Sequence, residues 1–401
     1  MRDTTTQPFP WVGLLTLSGL VFASVTSEFL PTGLLPDISE ELHVSESQVG
    51  LLITLFAGTV VLTAAPLSVL TRNFARKSLL LFVLLLFIIS NVLAAIAPNY
   101  ELLAGARILG GLTHGLFWSI VGAYAAHLVP KHQLGRAVAI VSGGGTAAFV
   151  LGVPLGTALG HALGWRLAFA FIAGIMAVML LVAVRFVPPV QHIEPLRTGE
   201  IALPIRKDRS VPGIVLVCLL VFAFMFAHNI FYTYIAPFLI GPVGVDPGSV
   251  AGLLLLYGLA GAVGLALAGI LSDRFPRAGL PVAGVLVAIS VLVLGLFPGN
   301  PGIAIAAFVV WSTAFGGLPA MLQTRMMHVA SARVRDVASA YQTTAFNAAI
   351  GAGALVGGIL LDRTSILVLP FTDVALTLVA VVIAILGGAW WRRREAGWRH
   401  A

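Results

Sequence analysis

Glu28 is a carboxylate in a segment of otherwise apolar or small residues. The segment runs from Trp11 to Leu35, about 25 residues, which is long enough to cross a bilayer as a helix. A charge near the centre of such a helix costs at least ~2.5 kcal/mol, so it requires a partner, a water-filled cavity or a proton. Burial favours the protonated form of a carboxyl group. We therefore predict that Glu28 binds and releases a proton; the alternative is a permanently neutral acid that bonds two helices together.

A stripe of functional side chains follows in the fourth apolar segment. Arg107, Gly111, His114 and Trp118 are spaced i, i+4, i+7 and i+11, which places them on one helix face directed into the bundle. Arg107 is a candidate to stabilise ionised Glu28 or to relay its proton. His114 is suited to hydrogen-bond hydroxyl groups or to bond two helices together. Trp118 offers a flat surface for a sugar or an aromatic drug, or is simply packed.

Two later segments carry neutral polar groups. His228 and Tyr232 are four residues apart, as are Asn229 and Thr233, and Asn347 lies in a segment rich in amides and hydroxyls. Such groups bind neutral hydroxylated solutes without a charge. Interhelical hydrogen bonds worth well under ~2 kcal/mol each are the alternative. We predict that the substrate contacts His114, Trp118, His228, Asn229, Tyr232 and Asn347.

The composition is that of a polytopic membrane protein. Hydrophobic residues make up 59% of the chain and charged residues 10%, and apolar runs of about 20 residues recur throughout. The net charge of +7 is distributed among alternate loops, which predicts cytoplasmic basic loops and two cytoplasmic termini instead of a nucleic-acid site. We place every acid except Glu28 in a loop or near a helix end. Without a second deep acid, dicationic drugs are disfavoured as substrates.

Twelve transmembrane helices are expected, centred near residues 24, 60, 88, 115, 149, 176, 225, 260, 288, 314, 348 and 380. A polar linker, residues 188–211, separates an N-terminal bundle (1–187) from a C-terminal one (212–401). The bundles echo each other at an offset of about 200 residues, since Arg136-Ala-Val-Ala corresponds to Arg335-Asp-Val-Ala. Two parallel six-helix repeats predict a substrate site between the halves and transport by alternating access.

Known transporters share several of these motifs. Gly269, Asp273, Arg274 and Arg277 match a loop signature of the major facilitator superfamily, and Gly152-Val-Pro154-Leu-Gly156 resembles the helix-five motif of its drug:proton antiporter branch. Within that branch, the runs Ser27–Pro36, His114–Ser119, Gly164–Arg166 and Phe346–Gly353 look most like bacterial sugar efflux transporters that export arabinose and isopropyl-thiogalactoside. The resemblance covers nearly the whole chain. It implies the major facilitator fold, a proton-binding acid in helix one and a functional arginine at Arg107.

The resemblance also implies a gate and moving seams. Asp273, Arg274 and Arg72 are the predicted cytoplasmic gate, and an ordinary salt-bridged loop is the alternative for Asp273 and Arg274. Thr71 stands where the first-half acid is expected, so the first-half gate must differ. Gly152, Pro154 and Gly156 give helix five a smooth ridge. We expected Gly261 and Gly264 of helix eight to provide the matching surface.

The sequence therefore predicts a proton-coupled antiporter of the bacterial inner membrane that exports sugars or sugar-like solutes. Export of chloramphenicol or related drugs is the alternative. The predicted partners are protons, a small neutral solute and the lipid bilayer, with no nucleic acid and a monomeric chain. No cofactor or metal is expected besides the proton gradient, because neither a phosphate-binding loop nor metal-ligand spacing is present. An enzyme is disfavoured because the polar residues do not form a catalytic constellation.

Overall fold

The computed structural model describes residues 9–71, 73–130, 133–189, 208–275, 277–331 and 333–399. Within these ranges the chain is helical and contains no strand. The helices are α1 Trp11–Gly33, α2 Leu35–Leu42, α3 Glu46–Leu70, α4 Arg76–Ala95, α5 Tyr100–Leu128, α6 Leu134–Ala147, α7 Val153–Leu163, α8 Trp165–Phe186, α9 Val211–Tyr232, α10 Ile235–Ile240, α11 Val250–Arg274, α12 Gly279–Leu296, α13 Pro301–Gly316, α14 Leu318–Val329, α15 Arg335–Arg363 and α16 Val368–Arg399.

These segments form twelve long helical rods, as the sequence predicts. The fifth rod joins α6 and α7 through a π-helical turn, Ala148–Gly152, and the tenth joins α13 and α14. Pro154 explains the π turn, because it has no N–H to donate to the carbonyl four residues earlier. Eleven of the rods are apolar enough to cross a membrane. The twelfth is α5, which carries Glu101, Arg107 and His114.

The rods pack as two groups with distinct seams between them. Helices α1 and α3–α8 form the first group, and α9–α16 form the second. One seam joins α3 to α15, and the other joins α7 and the π turn to α11. Glycine allows the helices of the second seam to approach closely, since a Cβ on Gly258 would lie 2.5 Å from the carbonyl oxygen of Phe149. The two seams bring the halves together around α1 and α9.

Contacts between the halves concentrate on one side of the bundle. An even number of rods leaves the two ends of the described chain on the same side, which we call the termini side; the other is the far side. On the far side Ser47 donates to Asp362 Oδ2 (2.7 Å), and deeper in the seam Thr54 donates to the Gly351 carbonyl (2.9 Å). Toward the termini side, Leu70 of α3 and Tyr341 of α15 are exposed. The α3–α15 seam is thus closed on the far side.

Candidate functional site

Glu28 lies in the second half of α1, five residues before its end, and the residue is 4% exposed. It is this deeply buried because α1 is surrounded by α3, α5, α6, α7 and α8 of its own half and also contacts α10 and α11 of the other. Two serines extend the polar face of α1: Ser24, one turn before Glu28, and Ser27, whose hydroxyl donates to Asn91 Oδ1 (2.8 Å). The carboxyl group thus lies in a small polar layer inside an apolar bundle.

Arg107 reaches this layer from α5 but contacts the backbone of α1. Its Nη1 donates to the carbonyl oxygen of Ser27 and its Nη2 to that of Glu28, both at 2.8 Å. Pro31 has no N–H to donate to Ser27, so one carbonyl would otherwise lack its helical partner. The guanidinium also lies 4.3 Å from the ring centroid of Phe56. The predicted neighbourhood of Arg107 and Glu28 is present, but the arginine bonds the carbonyl groups of α1 and forms no ion pair with the carboxylate.

His114 joins Glu28 to Trp118. The His114 Nε2 atom lies 3.4 Å from Glu28 Oε2, and the indole N–H of Trp118 donates to the same Nε2 at 2.6 Å. A nitrogen that accepts this bond carries no proton, so the neutral ring has its proton on Nδ1. That Nδ1 then donates to Ser24 Oγ, 2.8 Å away. The hydrogen bonds therefore define one tautomer of a neutral histidine beside the acid.

In this arrangement the Glu28 carboxyl can bind a proton, whereas Nε2 of His114 cannot. Glu28 Oε1 is buried and has no hydrogen-bond partner among the described residues, so the carboxyl is not tied down as an interhelical bond would require. A buried carboxylate without a counter-charge in contact is costly, and a proton on Glu28 removes that cost. Nε2 of His114 is the nearest basic atom. It is closed to a proton as long as Trp118 donates to it.

A second cluster surrounds His228 in the other half. The imidazole stacks on Phe315 with ring centroids 3.5 Å apart and on Tyr232 at 4.9 Å, and it lies 5.2 Å from Trp311. At the repeat offset of about 200 residues, His228 occupies the position in α9 that Glu28 occupies in α1. Trp311 of α13 and Tyr257 of α11 were not among the predicted site residues. Their aromatic character alone did not distinguish them from packing.

The two predicted amide residues are turned back onto their own helices. Asn229 Nδ2 donates to the Met225 carbonyl (2.8 Å), and Asn347 Nδ2 donates to the Thr343 carbonyl (3.0 Å). Asn347 also lines a cleft of about 290 Å³ along the α3–α15 seam, with Thr54 on the opposite wall. Within the described residues, no hydrogen bond or ring contact connects the Glu28 cluster to the His228 cluster. The structure thus groups the predicted residues by half.

Asp373 corrects the expectation of a single deep acid. It lies in the second turn of α16 and is fully buried, at 0% exposed. The sequence places it near a helix end, where water normally reaches a carboxylate. Here α9, α12 and α15 pack against α16, and the residue is inaccessible. With two buried acids in the chain, the number of deep acids does not disfavour dicationic substrates.

The predicted gate and seam residues have mixed positions. Arg72 and the side chain of Asp273 lie outside the described residues, and Arg274 is exposed beside the ring of Phe275. Gly152 and Gly156 do form a ridge, but it faces α1: a Cβ on them would lie 2.0 Å from Thr26 Oγ1 and 2.6 Å from Leu30 Cδ1.

The expected partner surface for that ridge on α11 is wrong. Gly261 and Gly264 approach Ser312 and Thr313 of α13 within their own half. A smooth helix face accepts any close neighbour; this face of α7 lies against α1, whereas α11 contacts α7 and the π turn elsewhere. Pro154 lies at the start of α7, directly after the π turn.

Comparison with known proteins gives one family. The model of the Major Facilitator Superfamily matches residues 17–345 and 217–400. A probable sugar efflux transporter of Helicobacter pylori strain J99 is 33% identical over 371 residues, 92% of this chain and 93% of that protein. Another, from Mannheimia succiniciproducens, is 31% identical over 382 residues, 93% of each chain.

Solved structures show the same architecture at lower identity. A bacterial homologue of the human lysosomal transporter Spinster, crystallised in an inward-facing and unoccupied conformation, superposes with a TM-score of 0.77 at 16% identity, covering 97% of this chain and 99% of that one. A D-xylose–proton symporter gives a TM-score of 0.76 at 20% identity, covering 94% and 97%. These similarities confirm the predicted twelve-helix fold.

Proposed function

Since the chain belongs to the major facilitator superfamily, we propose that it is a proton-coupled antiporter that exports sugars or sugar-like neutral solutes from the cytoplasm. Family membership itself makes the chain a multi-pass membrane transporter of small molecules and not an enzyme. Our proposal goes further and specifies the solute, the coupling to protons and the direction of transport. No cofactor takes part besides the proton gradient, and the chain works as a monomer in the lipid bilayer.

The buried Glu28 carboxyl is the observation that supports proton coupling. One of its oxygens is unpartnered and the other lies 3.4 Å from a neutral histidine, so the group is suited to gain and lose a proton without breaking a protein bond. An inward proton gradient loads Glu28 from outside, and release inside returns the carrier to its starting state. Outward movement of the solute is driven by that exchange.

Two features support a sugar as cargo. Relatives at 31–33% identity over more than nine-tenths of the chain are named probable sugar efflux transporters. The His228 cluster combines flat rings with a hydroxyl, an imidazole and an indole N–H, groups that stack on sugar rings and bond their hydroxyls. The same rings favour a neutral aromatic drug, so chloramphenicol is the second candidate.

The orientation and conformation fit export. Basic loops lie on the termini side, so the positive-inside rule places that side in the cytoplasm of a bacterial inner membrane. The far side, where Ser47 bonds Asp362, is then periplasmic and closed. A transporter closed to the periplasm can receive its solute from the cytoplasm, which is the first step of export.

Transport into inverted membrane vesicles tests the proposal. Labelled arabinose and labelled chloramphenicol are offered separately, with and without an imposed proton gradient. Arabinose uptake that a protonophore abolishes is expected. Uptake of chloramphenicol alone contradicts the sugar assignment, and indifference to the protonophore contradicts antiport.

The matched variants are Glu28→Gln and Glu101→Gln. Both replace a glutamate by its neutral isostere, but Glu101 lies exposed in the first turn of α5. Gradient-driven uptake should be lost in Glu28→Gln, whereas energy-independent exchange of labelled for unlabelled solute persists. Glu101→Gln should behave as wild type. Normal pumping by Glu28→Gln would show that the coupling group lies elsewhere.

A further inference from the structure

The Asp373 carboxyl is a second buried acid, in the opposite half from Glu28. It is fully buried in the second turn of α16, on the far-side end of that helix. Its Oδ1 accepts a hydrogen bond from Thr377 Oγ1 at 2.8 Å. Its Oδ2 is buried and has no hydrogen-bond partner among the described residues.

The neighbouring helices offer no base in contact with Asp373. Of the helices packed against α16, α12 carries no ionisable side chain. Helix α9 offers Cys218, His228 and Tyr232, and the adjoining end of α15 carries Asp362 and Arg363. No described base forms a salt bridge with Asp373. Ionised Asp373 would therefore be a buried charge without a partner, whereas a bound proton makes the group neutral.

Three further buried polar atoms lie at the His228 cluster, in the same half as Asp373. The hydroxyl of Tyr257, the indole N–H of Trp311 and Nδ1 of His228 all lack hydrogen-bond partners among the described residues. Their rings are in sequence, with centroids 5.5 Å apart from Tyr257 to Trp311 and 5.2 Å from Trp311 to His228.

We propose that Asp373 is a second proton-binding carboxyl, on the far side of the half that also holds the His228 cluster. One proton adds to the carboxylate to give the neutral acid, and the same proton leaves when the group ionises. The proposal deepens the proposed function, because it gives each half of the transporter its own proton site. Thr377 positions the carboxyl by holding Oδ1.

Infrared difference spectroscopy tests this directly. The full-length protein in lipid nanodiscs is titrated between acid and alkaline pH without any substrate, and the carbonyl stretch of protonated carboxyl groups is followed. Two titrating bands from buried acids are expected, one lost in Glu28→Gln and the other in Asp373→Asn. Glu101→Gln should retain both. An Asp373→Asn spectrum identical to that of wild type, or an Asp373 band that never titrates, would overturn the proposal.

Thr377→Val keeps the test decisive if Asp373→Asn does not fold. Valine retains the shape of threonine but removes the hydroxyl that donates to Oδ1, so only the Asp373 band should shift. An unshifted spectrum would overturn the proposal. Because no substrate is present, this result is independent of the cargo. A titrating Asp373 band together with normal pumping by Glu28→Gln would leave the second site intact while refuting the coupling role of Glu28.

Discussion

Arg107 supplies the hydrogen bond that Pro31 denies to Ser27. The Arg107 Nη1 atom lies 2.8 Å from the Ser27 carbonyl oxygen, the group that a residue-31 N–H would bond in a regular helix. The proline and the arginine therefore act together, although they lie on different helices. This pairing gives the Ser27 carbonyl a partner and holds α1 against α5.

Replacing Arg107 by lysine should destabilise the protein by about 1.5–3 kcal/mol, because one ammonium cannot make both charged bonds of the planar guanidinium. The cost should be smaller in a Pro31→Ala background, where residue 31 regains an N–H for Ser27. Thermal unfolding of the four proteins in detergent, followed by tryptophan fluorescence, measures the coupling. Equal costs in both backgrounds would show that Pro31 and Arg107 act independently.

Much of the helical framework was predictable, because its cause is local. Apolar runs of membrane-spanning length and the alternation of basic loops determine twelve helices and their order. The stripe through Arg107, His114 and Trp118 was also predictable, since helical periodicity places these residues on one face. Its proximity to Glu28 required only that polar groups in a membrane protein face inward.

The predictions that were wrong depend on which helices become neighbours. The Gly152–Gly156 ridge meets α1 and not α11, and nothing in a smooth surface specifies its partner. Asp373 lies near a helix start, where a carboxylate is normally exposed, but it is buried in a helix that packs against α9 and α12. The attachment of Arg107 to carbonyl groups also escaped prediction, because a charge pair with Glu28 was the simpler expectation. It follows in hindsight from the position of Pro31.

Replacing Trp118 by phenylalanine should change the tautomer of His114. The indole N–H that occupies Nε2 is lost, so the ring proton is no longer confined to Nδ1 and Nε2 becomes available to Glu28. Nitrogen-15 NMR of histidine-labelled protein, with the signal assigned through a His114→Gln variant, reports the protonation of each ring nitrogen. Trp311→Phe is the matched control. Identical His114 signals in Trp118→Phe and wild type would refute the assigned hydrogen bond.

The hydrogen bonds of Asp208 predict that the segment before α9 is held less firmly at acid pH. Hydrogen bonds from the hydroxyl and N–H of Ser210, with smaller contributions from Ser331 and Arg333, lower the pKa of this carboxyl below its ordinary 3.8. The folded state thus favours the ionised form. Its stabilisation is complete above the ordinary pKa and is lost as the pH falls through the lowered one.

The variant Asp208→Asn should therefore lose about 1–2 kcal/mol of stability at neutral pH, and the difference from wild type should shrink at strongly acid pH. Thermal unfolding at several pH values measures it. Ser331→Ala, which removes only one donor to Oδ2, should show a smaller loss of the same sign. A pH-independent difference would mean that the side chain acts by packing and not by charge.

The bond from Ser47 to Asp362 predicts that the far side must open during transport. The two residues belong to different halves and lie where α3 and α15 meet, so a covalent link between them prevents the halves from separating there. Ser47→Cys and Asp362→Cys are combined in a Cys218→Ser background, because Cys218 is the single native cysteine. A short, reducible thiol cross-linker should abolish arabinose uptake into inverted vesicles, and reduction should restore it.

The single-cysteine variants treated with the same reagent are the matched controls and should transport normally, since modification of one half leaves the seam free to open. Solute binding measured on the cross-linked protein shows whether the link blocks movement of the halves or the binding site itself. Binding should persist, because a link on the far side leaves the termini side open. Full transport by the cross-linked double variant would mean that the far side need not separate at this seam, and that the halves exchange access by a different movement.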